Sequence, residues 1–312
     1  MSVKKGQNAS DLQTANRSLV LQILSEKKVC TRVELARLTG LSQASITIIV
    51  NFLIEAGLVR EVGITAGKNG RRSIAIALNE DKYKVVAVSM NRSFFQVGLF
   101  DLGGTCYDSY KEEIRIDLGA NSTLQRIIGA VERLIRDRDD VYAIGMAVPG
   151  PFLRKERRIA LLTEFQGWTD IDLVEAMERA FSLPTWVEHD ANAGVMGEWR
   201  YGNFADKNST MIQVLTGDGI GAGVLDNGHI FFGSNGIAGQ FGHMSLNVHG
   251  PRCACGNYGC LELYCTTFSL ARCAKEELHH HPESVLNRHP TITYTDVFDG
   301  MEKGDGYCID LI

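Results

Sequence analysis

The chain has 312 residues, 45% of them hydrophobic and 22% charged, which is enough to bury a large core and predicts more than one domain. It opens with no charged and apolar leader and has no apolar run near the roughly 20 residues that span a bilayer, so we expect a cytoplasmic protein with no membrane partner. The net charge of −5 is uneven, because residues 1–80 have 11 Lys and Arg against 6 Asp and Glu (+5) and the remainder has 21 against 31 (−10). A basic head on an acidic body suits a head that meets phosphates.

The first predicted elements are two short helices. Apolar residues on one side of residues 16–24 predict an amphipathic helix. After it, Thr31 and Glu34 have the spacing of a capping box, which predicts the start of a second helix. Gly40 then supplies the turn that ends this helix.

A third helix follows, capped by Ser42 and extending from Gln43 to Glu55, with its buried stripe formed by Ile46, Ile49, Val50 and Leu53. This succession of caps, turn and helices is typical of a winged helix-turn-helix, mostly α-helical with a β wing, and we assign it residues 12–78. The third helix would enter the major groove of double-stranded DNA. A plain three-helix packing unit is the alternative.

The predicted DNA contacts come from two places. In the third helix they are the small polar residues Ser42, Gln43, Ala44, Ser45 and Thr47. In the wing they are Arg60, Arg71 and Arg72, which would contact the backbone or the minor groove. Solvated linker charge is the alternative explanation for these arginines.

Beyond Asn79, strands alternate with helices, which predicts an α/β domain over residues 81–312. The predicted strands cover 84–90, 94–100, 113–116, 141–148 and 185–188, and the predicted helices cover about 122–136 and 173–181. The polar run at 189–193 comes directly after a strand, and the carboxyl end of a strand is a favoured place for a binding site.

Three cysteines lie close together in the second half of the chain. Because a cytoplasmic protein keeps its thiols reduced, Cys253, Cys255 and Cys260 indicate metal ligation rather than disulfides. His243, ten residues upstream, completes a tetrahedral Cys₃His set for a structural Zn²⁺ with no open position for catalysis. A reduced cysteine cluster without metal is the alternative.

Six motifs together resemble one family, and they lie at 70–74, 145–151, 188–193, 219–224, 239–243 and 253–262. With the winged module, they make the sequence similar to the ROK family of repressors and sugar kinases, and above all to its repressors, from about Asn16 to Cys308. The resemblance implies an actin-like, ribonuclease-H-like domain of the sugar-kinase type, with the same four zinc ligands, and a homodimer on a two-fold operator. It also implies further elements after Cys308, so we expect the second lobe to be incomplete.

Two turns distinguish a sugar kinase from a sensor of the same fold. In the family's kinases an Asp-x-Gly-Gly-Thr turn follows the first strand of the domain, whereas here residues 91–93 are Asn-Arg-Ser. A literal Asp-Leu-Gly-Gly-Thr occurs at 101–105, where we expect it to close a hairpin. Asp218 replaces a small hydroxyl residue of the second phosphate turn, and its carboxylate would repel a triphosphate. We therefore expect no phosphoryl transfer.

The sugar contacts of the family are better preserved. Three residues match the family's sugar contacts: Asp190, His243 and Glu262. Asp190 also matches the Asp that accepts the proton in the family's kinases. Gln240 replaces the Glu that the family usually has at its position. Glu164 stands near a position where the kinases use Asn. We expect a transcriptional regulator, a repressor of carbohydrate-utilisation genes that responds to a sugar or sugar phosphate. The alternatives are an ATP-dependent sugar kinase with a DNA-binding head and a regulator controlled by a protein partner.

Overall fold

The computed structural model describes residues 8–66, 72–160, 167–202 and 209–312. Its helices are α1 (Ala9–Lys27), α2 (Arg32–Thr39), α3 (Gln43–Glu55), α4 (Gly119–Ile135), α5 (Leu173–Phe181), α6 (Asp190–Tyr201), α7 (Thr267–Glu277), α8 (Tyr294–Glu302) and α9 (Gly306–Asp310). Its strands are β1 (Val29–Thr31), β2 (Val59–Ala66), β3 (Arg72–Leu78), β4 (Lys84–Met90), β5 (Phe94–Asp101), β6 (Cys106–Glu113), β7 (Val141–Val148), β8 (Phe152–Leu153), β9 (Arg158–Ile159), β10 (Thr185–His189), β11 (Met211–Thr216), β12 (Ile220–Asp226) and β13 (His229–Ile230).

The chain divides into two compact units. Unit 1 comprises Met1–Ala87, Gly98–Ser109 and Glu132–Ala143, and unit 2 comprises Val88–Val97, Tyr110–Val131 and Ile144–Ile312. In the described ranges no single helix is long and apolar enough to cross a membrane, and α2 and α3 reach that length and hydropathy only together, as a pair bent by 115°.

The N-terminal part of unit 1 contains α1, α2 and α3 with a three-stranded sheet of order β1-β3-β2. Thr31 caps α2 in the predicted box, since its hydroxyl accepts from the Glu34 N–H at 3.2 Å and the Glu34 carboxylate accepts from the Thr31 N–H at 2.8 Å. Ser42 caps α3, with its hydroxyl 3.1 Å from the Ser45 N–H. The predicted caps and the bounds of α3 are therefore confirmed.

One core joins these elements. It consists of buried residues from α1, α2, α3 and the sheet: Val20, Leu24, Cys30, Leu35, Ile46, Ile49, Val50, Leu53, Val59, Ile76 and Leu78. The predicted stripe of α3 is part of it. The antiparallel pair β2 and β3 forms the wing, and it is paired from Val59 opposite Leu78 to Ala66 opposite Arg72 with a register shift between Glu61 and Gly63.

A five-stranded sheet has the order β10-β7-β4-β5-β6. Strand β10 is parallel to β7, from Thr185 opposite Ile144 to His189 opposite Val148, so the carboxyl ends of these two strands meet at one edge. The strand predicted at 113–116 is wrong, because the strand is β6, which ends at Glu113. As an edge strand β6 is mostly exposed, and it lacks the apolar alternation that marks a strand half buried in a core.

The Asp-Leu-Gly-Gly-Thr segment closes the hairpin between β5 and β6, as predicted. Its carboxylate, on Asp101, accepts from the N–H groups of Gly103 and Thr105 at 2.9 Å and from the Tyr107 hydroxyl at 3.2 Å. Gly104 has a φ of 91°, a conformation that favours glycine. Burial raises the pKa of Asp101, but the hydrogen bonds from Thr105, Tyr107 and Gly103 outweigh it and lower the pKa below its usual value.

We expect Asp101→Asn to lower the free energy of unfolding by about 1 kcal/mol at pH 7, because the amide loses the charge-assisted bonds. Because the pKa of Asp101 is lower in the folded state than in the unfolded state, its carboxylate stabilises the fold fully at pH values above the unfolded-state pKa. That stabilisation is lost as the pH falls through the folded-state pKa. The difference between Asp101→Asn and the parent should therefore shrink below about pH 4. Urea titrations from pH 7 to pH 3 measure this, and a difference that stays constant with pH would contradict it.

Candidate functional site

A cavity of about 160 Å³ in unit 2 opens at the edge where β7 and β10 end. Its walls come from the turn after β4, the turn after β7, the β10–α6 junction, the β11–β12 turn and two later loops: Asn91, Arg92, Pro149, Gly150, Pro151, His189, Asp190, Leu215, Thr216, Gly217, Asp218, Gly219, Ile220, Gly221, Gln240, His243 and Glu262. All four residues predicted to bind sugar, Asp190, Gln240, His243 and Glu262, line this one cavity.

Asp190 is the first residue of α6, where backbone N–H groups favour a carboxylate. Its Oδ1 accepts from the Ala191 N–H at 2.7 Å and lies 3.3 Å from His189 Nε2. Burial raises the pKa of Asp190, although His189, Ala191 and Arg92 oppose the shift. Burial also lowers the pKa of His189, which disfavours the charged form of this imidazole beside Asp190. Asp190 is thus a hydrogen-bond partner for a hydroxyl.

The loop that carries Gln240 packs directly on β12. A Cβ on Gly239, whose φ is +83°, would lie 1.8 Å from the Ala222 carbonyl oxygen, so only glycine allows this approach. The close approach puts Gln240 and His243 at the cavity. Among the described residues, Gln240 Nε2 is buried without a hydrogen-bond partner. An unsatisfied buried amide is costly, which favours a ligand or water that accepts from it.

The four predicted metal ligands lie together. A ring nitrogen of His243 and the Sγ atoms of Cys253, Cys255 and Cys260 are all within 4.8 Å of one another. His243 Nδ1 is 3.7 Å from Cys253 Sγ, and Cys255 Sγ is 3.7 Å from Cys260 Sγ. With Zn–S distances of about 2.3 Å, two tetrahedral sulfur ligands lie about 3.8 Å apart, so the cluster has the dimensions of a zinc site.

Two of the three thiols, those of Cys253 and Cys260, are difficult to ionise without a cation. Burial and the neighbouring thiols raise the pKa of Cys260 to about 12, and burial raises the pKa of Cys253 as well. A divalent metal supplies the positive charge that thiolates need. The donor set therefore fits a structural zinc ion and leaves no position for a catalytic water.

His243 belongs to both the metal cluster and the cavity. Its Nδ1 faces Cys253, and Glu262 Oε1 lies 3.8 Å from the same nitrogen. With Nδ1 on the metal side, Nε2 is the ring nitrogen that remains for a ligand in the cavity. Glu262 follows Cys260 by two residues, so the segment with the last cluster cysteine also carries Glu262.

The Asp218 carboxylate accepts hydrogen bonds from two other parts of the fold. Its Oδ2 accepts from the Ser93 hydroxyl at 2.6 Å and its Oδ1 accepts from the Thr267 hydroxyl at 2.8 Å. The Thr267 N–H also donates to the Gly217 carbonyl at 3.0 Å. One carboxylate thus joins the turn after β4 to the first turn of α7. Ser93 and Thr267 were missed from the sequence because they are 125 and 49 residues from Asp218.

We expect Asp218→Ala to lower the free energy of unfolding by about 1–3 kcal/mol, because two hydroxyls lose a charged acceptor. Urea titration measures the change. The matched control is Asp226→Ala, since Asp226 accepts one exposed bond, from Thr210 at 2.8 Å. If Asp218→Ala and Asp226→Ala unfold at the same urea concentration, the hydrogen bonds from Ser93 and Thr267 to Asp218 contribute nothing to stability.

The exposed face of α3 contains most of the predicted DNA contacts. Ser42, Gln43, Ala44 and Thr47 are exposed and Ser45 is half buried. The Ser42 and Ser45 hydroxyls pair at 2.9 Å and the Thr47 hydroxyl donates to the Gln43 carbonyl at 2.8 Å, so these hydroxyls already have intrahelical partners.

One further residue on this helix is a candidate that sequence reasoning did not select. Ile48 is 71% exposed, and an exposed aliphatic side chain on such a helix suits a thymine methyl group. In the wing, Arg60 is exposed at the open end of the hairpin, opposite Ala77. Arg71 lies outside the described residues, as do the side chain of Arg72 and Glu164.

Comparison with family models agrees with both parts of the chain. A model described as the ROK family matches residues 85–312, which is more than half of the chain, and a model described as winged helix-turn-helix DNA-binding matches residues 14–60. The chain belongs to the ROK family. The predicted fold, a winged helix-turn-helix followed by a ROK domain, is therefore confirmed.

Relatives of this chain include a repressor and a dual regulator of transcription. The xylose repressor of Bacillus subtilis (strain 168) is 30% identical over 297 residues, which cover 94% of this chain and 74% of that protein. The DNA-binding transcriptional dual regulator NagC of Escherichia coli (strain K12) is 30% identical over 315 residues, which cover 98% of this chain and 75% of that protein.

Two solved structures share the fold. A ROK family transcriptional regulator described as a homolog of the E. coli MLC protein has a TM-score of 0.78 at 23% identity, over 96% of this chain and 76% of that chain. A ROK family glucokinase from Streptomyces griseus, in complex with glucose and AMPPNP, has a TM-score of 0.63 at 26% identity, over 73% of this chain and 74% of that chain. Both regulators and kinases are therefore built on this fold.

Proposed function

We propose that this ROK protein is a DNA-binding transcriptional regulator, a repressor of carbohydrate-utilisation genes, whose operator affinity is changed by a sugar or sugar phosphate. The proposal rests on one observation: the chain combines a winged helix-turn-helix with a polar cavity. Asp218 lines this cavity and stands in the turn that corresponds to the second phosphate turn of the family's kinases. The repressors among its relatives support the same assignment.

On DNA, α3 would enter the major groove with Ser42, Gln43, Ala44, Ser45 and Thr47 toward base edges and phosphates. Arg60, Arg71 and Arg72 of the wing would contact the backbone or the minor groove. We propose a homodimer on a two-fold operator, working in the cytoplasm where the DNA is.

In the cavity, Asp190, Gln240, His243 and Glu262 would surround the sugar. Asp190 and Glu262 accept hydrogen bonds from hydroxyls, and the Gln240 amide donates to an oxygen of the ligand. A structural zinc ion on His243, Cys253, Cys255 and Cys260 would fix the loop that carries His243 and Glu262. The metal supplies charge and rigidity there, with no catalytic step.

A sugar kinase is the second candidate, because Asp190 stands where the family's kinases have their proton acceptor. Phosphoryl transfer also needs donors that position and neutralise the phosphates. The Asp218 carboxylate, bound to Ser93 and Thr267, puts a negative charge in that turn instead. This arrangement favours the sensor.

The test is binding of the purified, zinc-loaded chain to fragments of its own genomic neighbourhood across a salt series, first with competitor DNA and then with a panel of sugars and sugar phosphates. We expect selective binding that weakens steeply with salt and changes with one class of ligand. Absence of selective binding by folded, zinc-loaded protein would refute the DNA-binding role. Turnover of ATP with a sugar, abolished by Asp190→Asn, would establish the kinase.

A further inference from the structure

A second cavity of about 470 Å³ lies beside the first one in unit 2. Its walls include three arginines, Arg92, Arg252 and Arg272, and we call it the arginine cavity. Its other walls are Cys253, Ala254, Glu262, Leu263, Thr266, Phe268 and Ser269. Arg92 and Glu262 line both cavities, so the two spaces meet at these side chains.

The three arginines come from separate parts of the fold. Arg92 is in the turn after β4, and its guanidinium lies 5.8 Å from the centre of the Phe268 ring. Arg252 belongs to the cysteine loop, where it forms a β-bridge with Tyr258. Arg272 is on α7. Their convergence on one space is therefore a product of the tertiary structure.

Contacts with the described residues use only part of the donor capacity of Arg272. Its Nη2 donates to the Leu263 carbonyl at 2.9 Å, and its Nε is 4.0 Å from Glu276 Oε1. A guanidinium has five N–H donors in a planar fork that matches the oxygens of a phosphate. The bond to Leu263 orients the side chain and leaves donors for a ligand.

The charge balance of the arginine cavity favours an anion. Three guanidinium groups and one carboxylate, that of Glu262, line it. Thr266, the N-cap of α7, and Ser269 also line it, so the positive end of this 11-residue helix faces the same space. The Glu262 carboxylate lies 3.8 Å from His243 Nδ1 on the metal side, where the proposed zinc ion would offset its charge.

We infer that the arginine cavity is an anion subsite and that the effector is a phosphorylated sugar, with its ring in the first cavity and its phosphate among Arg92, Arg252 and Arg272. The identity of the effector rests on the proposed function, whereas anion binding by the arginines does not. Because Arg252 precedes Cys253, a bound phosphate also contacts the cysteine loop and ties the ligand to the proposed zinc centre.

The test is calorimetric titration of the full, zinc-loaded chain with matched pairs of monosaccharides, each with and without a phosphate. We expect the phosphorylated member of the responding pair to bind at least about 10-fold more tightly, as charge-assisted hydrogen bonds predict. Arg252→Gln and Arg272→Gln should each remove most of that gain and leave the affinity for the neutral sugar unchanged. Arg288→Gln, an equal change of charge at an exposed residue that lines neither cavity, is the control.

Inorganic phosphate separates this inference from the proposed function. We expect phosphate, compared with chloride at equal ionic strength, to raise the melting temperature of the parent and of Arg288→Gln but not of the Arg252→Gln/Arg272→Gln double variant. The inference is overturned if phosphate protects the double variant equally, or if neutral and phosphorylated sugars bind alike. If phosphate raises the melting temperature of the parent but no sugar or sugar phosphate binds to it, the sugar-sensing role is refuted and the anion subsite is retained.

Discussion

Cys260→Ser is expected to prevent binding of the proposed zinc ion and, with it, ligand binding in the first cavity. Cys260 is fully buried in the cluster, and its Sγ lies 3.7 Å from that of Cys255. Loss of even an outer partner of a metal ligand lowers metal affinity by about 10–100-fold, and loss of a direct ligand should cost at least as much. Without the ion, the loop that carries His243 and Glu262 loses the charge that brings three thiols together.

The measurement is the zinc content of purified protein by atomic absorption, followed by calorimetric titration with the responding sugar. We expect about one zinc per parent chain and less than about 0.1 per Cys260→Ser chain, since structural zinc sites have apparent binding free energies of about 10–16 kcal/mol. Cys265→Ser, at an exposed cysteine outside the cluster, should keep both zinc and ligand. A metal-free Cys260→Ser protein that binds the sugar normally would show that the cavity does not depend on the metal.

The DNA-binding module should survive this change. Its core is formed within residues 20–78, and none of the four metal ligands belongs to it. Circular dichroism and DNA binding without sugar should therefore stay close to those of the parent. Loss of ligand response with retained DNA binding is the expected phenotype of Cys260→Ser.

The second large effect is expected on DNA. Gln43→Ala should weaken binding to the operator, meaning the genomic fragment that the parent protein binds selectively, by about 10- to 100-fold. This loss corresponds to the roughly 1–3 kcal/mol of one base contact. Gln43 is the first residue of α3, and its side chain is exposed, whereas the hydroxyls of Ser42, Ser45 and Thr47 have partners within the helix. Its amide is thus the best placed group for bidentate contact with a base edge.

Fluorescence anisotropy with the selected operator and with a scrambled duplex measures this effect. Because base contacts carry sequence information and phosphate contacts do not, the loss should appear on the operator and be small on the scrambled duplex. Gln22→Ala, at an exposed glutamine of α1 that bonds only Glu26 among the described contacts, is the matched control. Equal loss on both duplexes would assign Gln43 to the DNA backbone instead.

Local features of this protein were predictable from its sequence. The capping box of Thr31 and Glu34, the Ser42 cap and the bounds of α3 depend on residues within a few positions of one another, and the structure has them as predicted. The cysteine spacing likewise predicted a cluster that the structure brings within 4.8 Å, because one short loop carries all three thiols. The Asp101 turn was predictable for the same reason.

Edge position and long-range contacts were not predictable. Strand β6 was missed because it lies at the edge of its sheet and lacks apolar alternation. That Asp218 repels a phosphate stays a prediction, and its hydrogen-bond partners, Ser93 and Thr267, became visible only in the fold. Short-range capping and spacing thus determined the DNA-binding module and the cysteine cluster. Tertiary structure alone decided that Arg92 lines the same cavity as Arg252 and Arg272, because Arg92 is 160 and 180 positions from them and comes near them only when the sheets and loops pack.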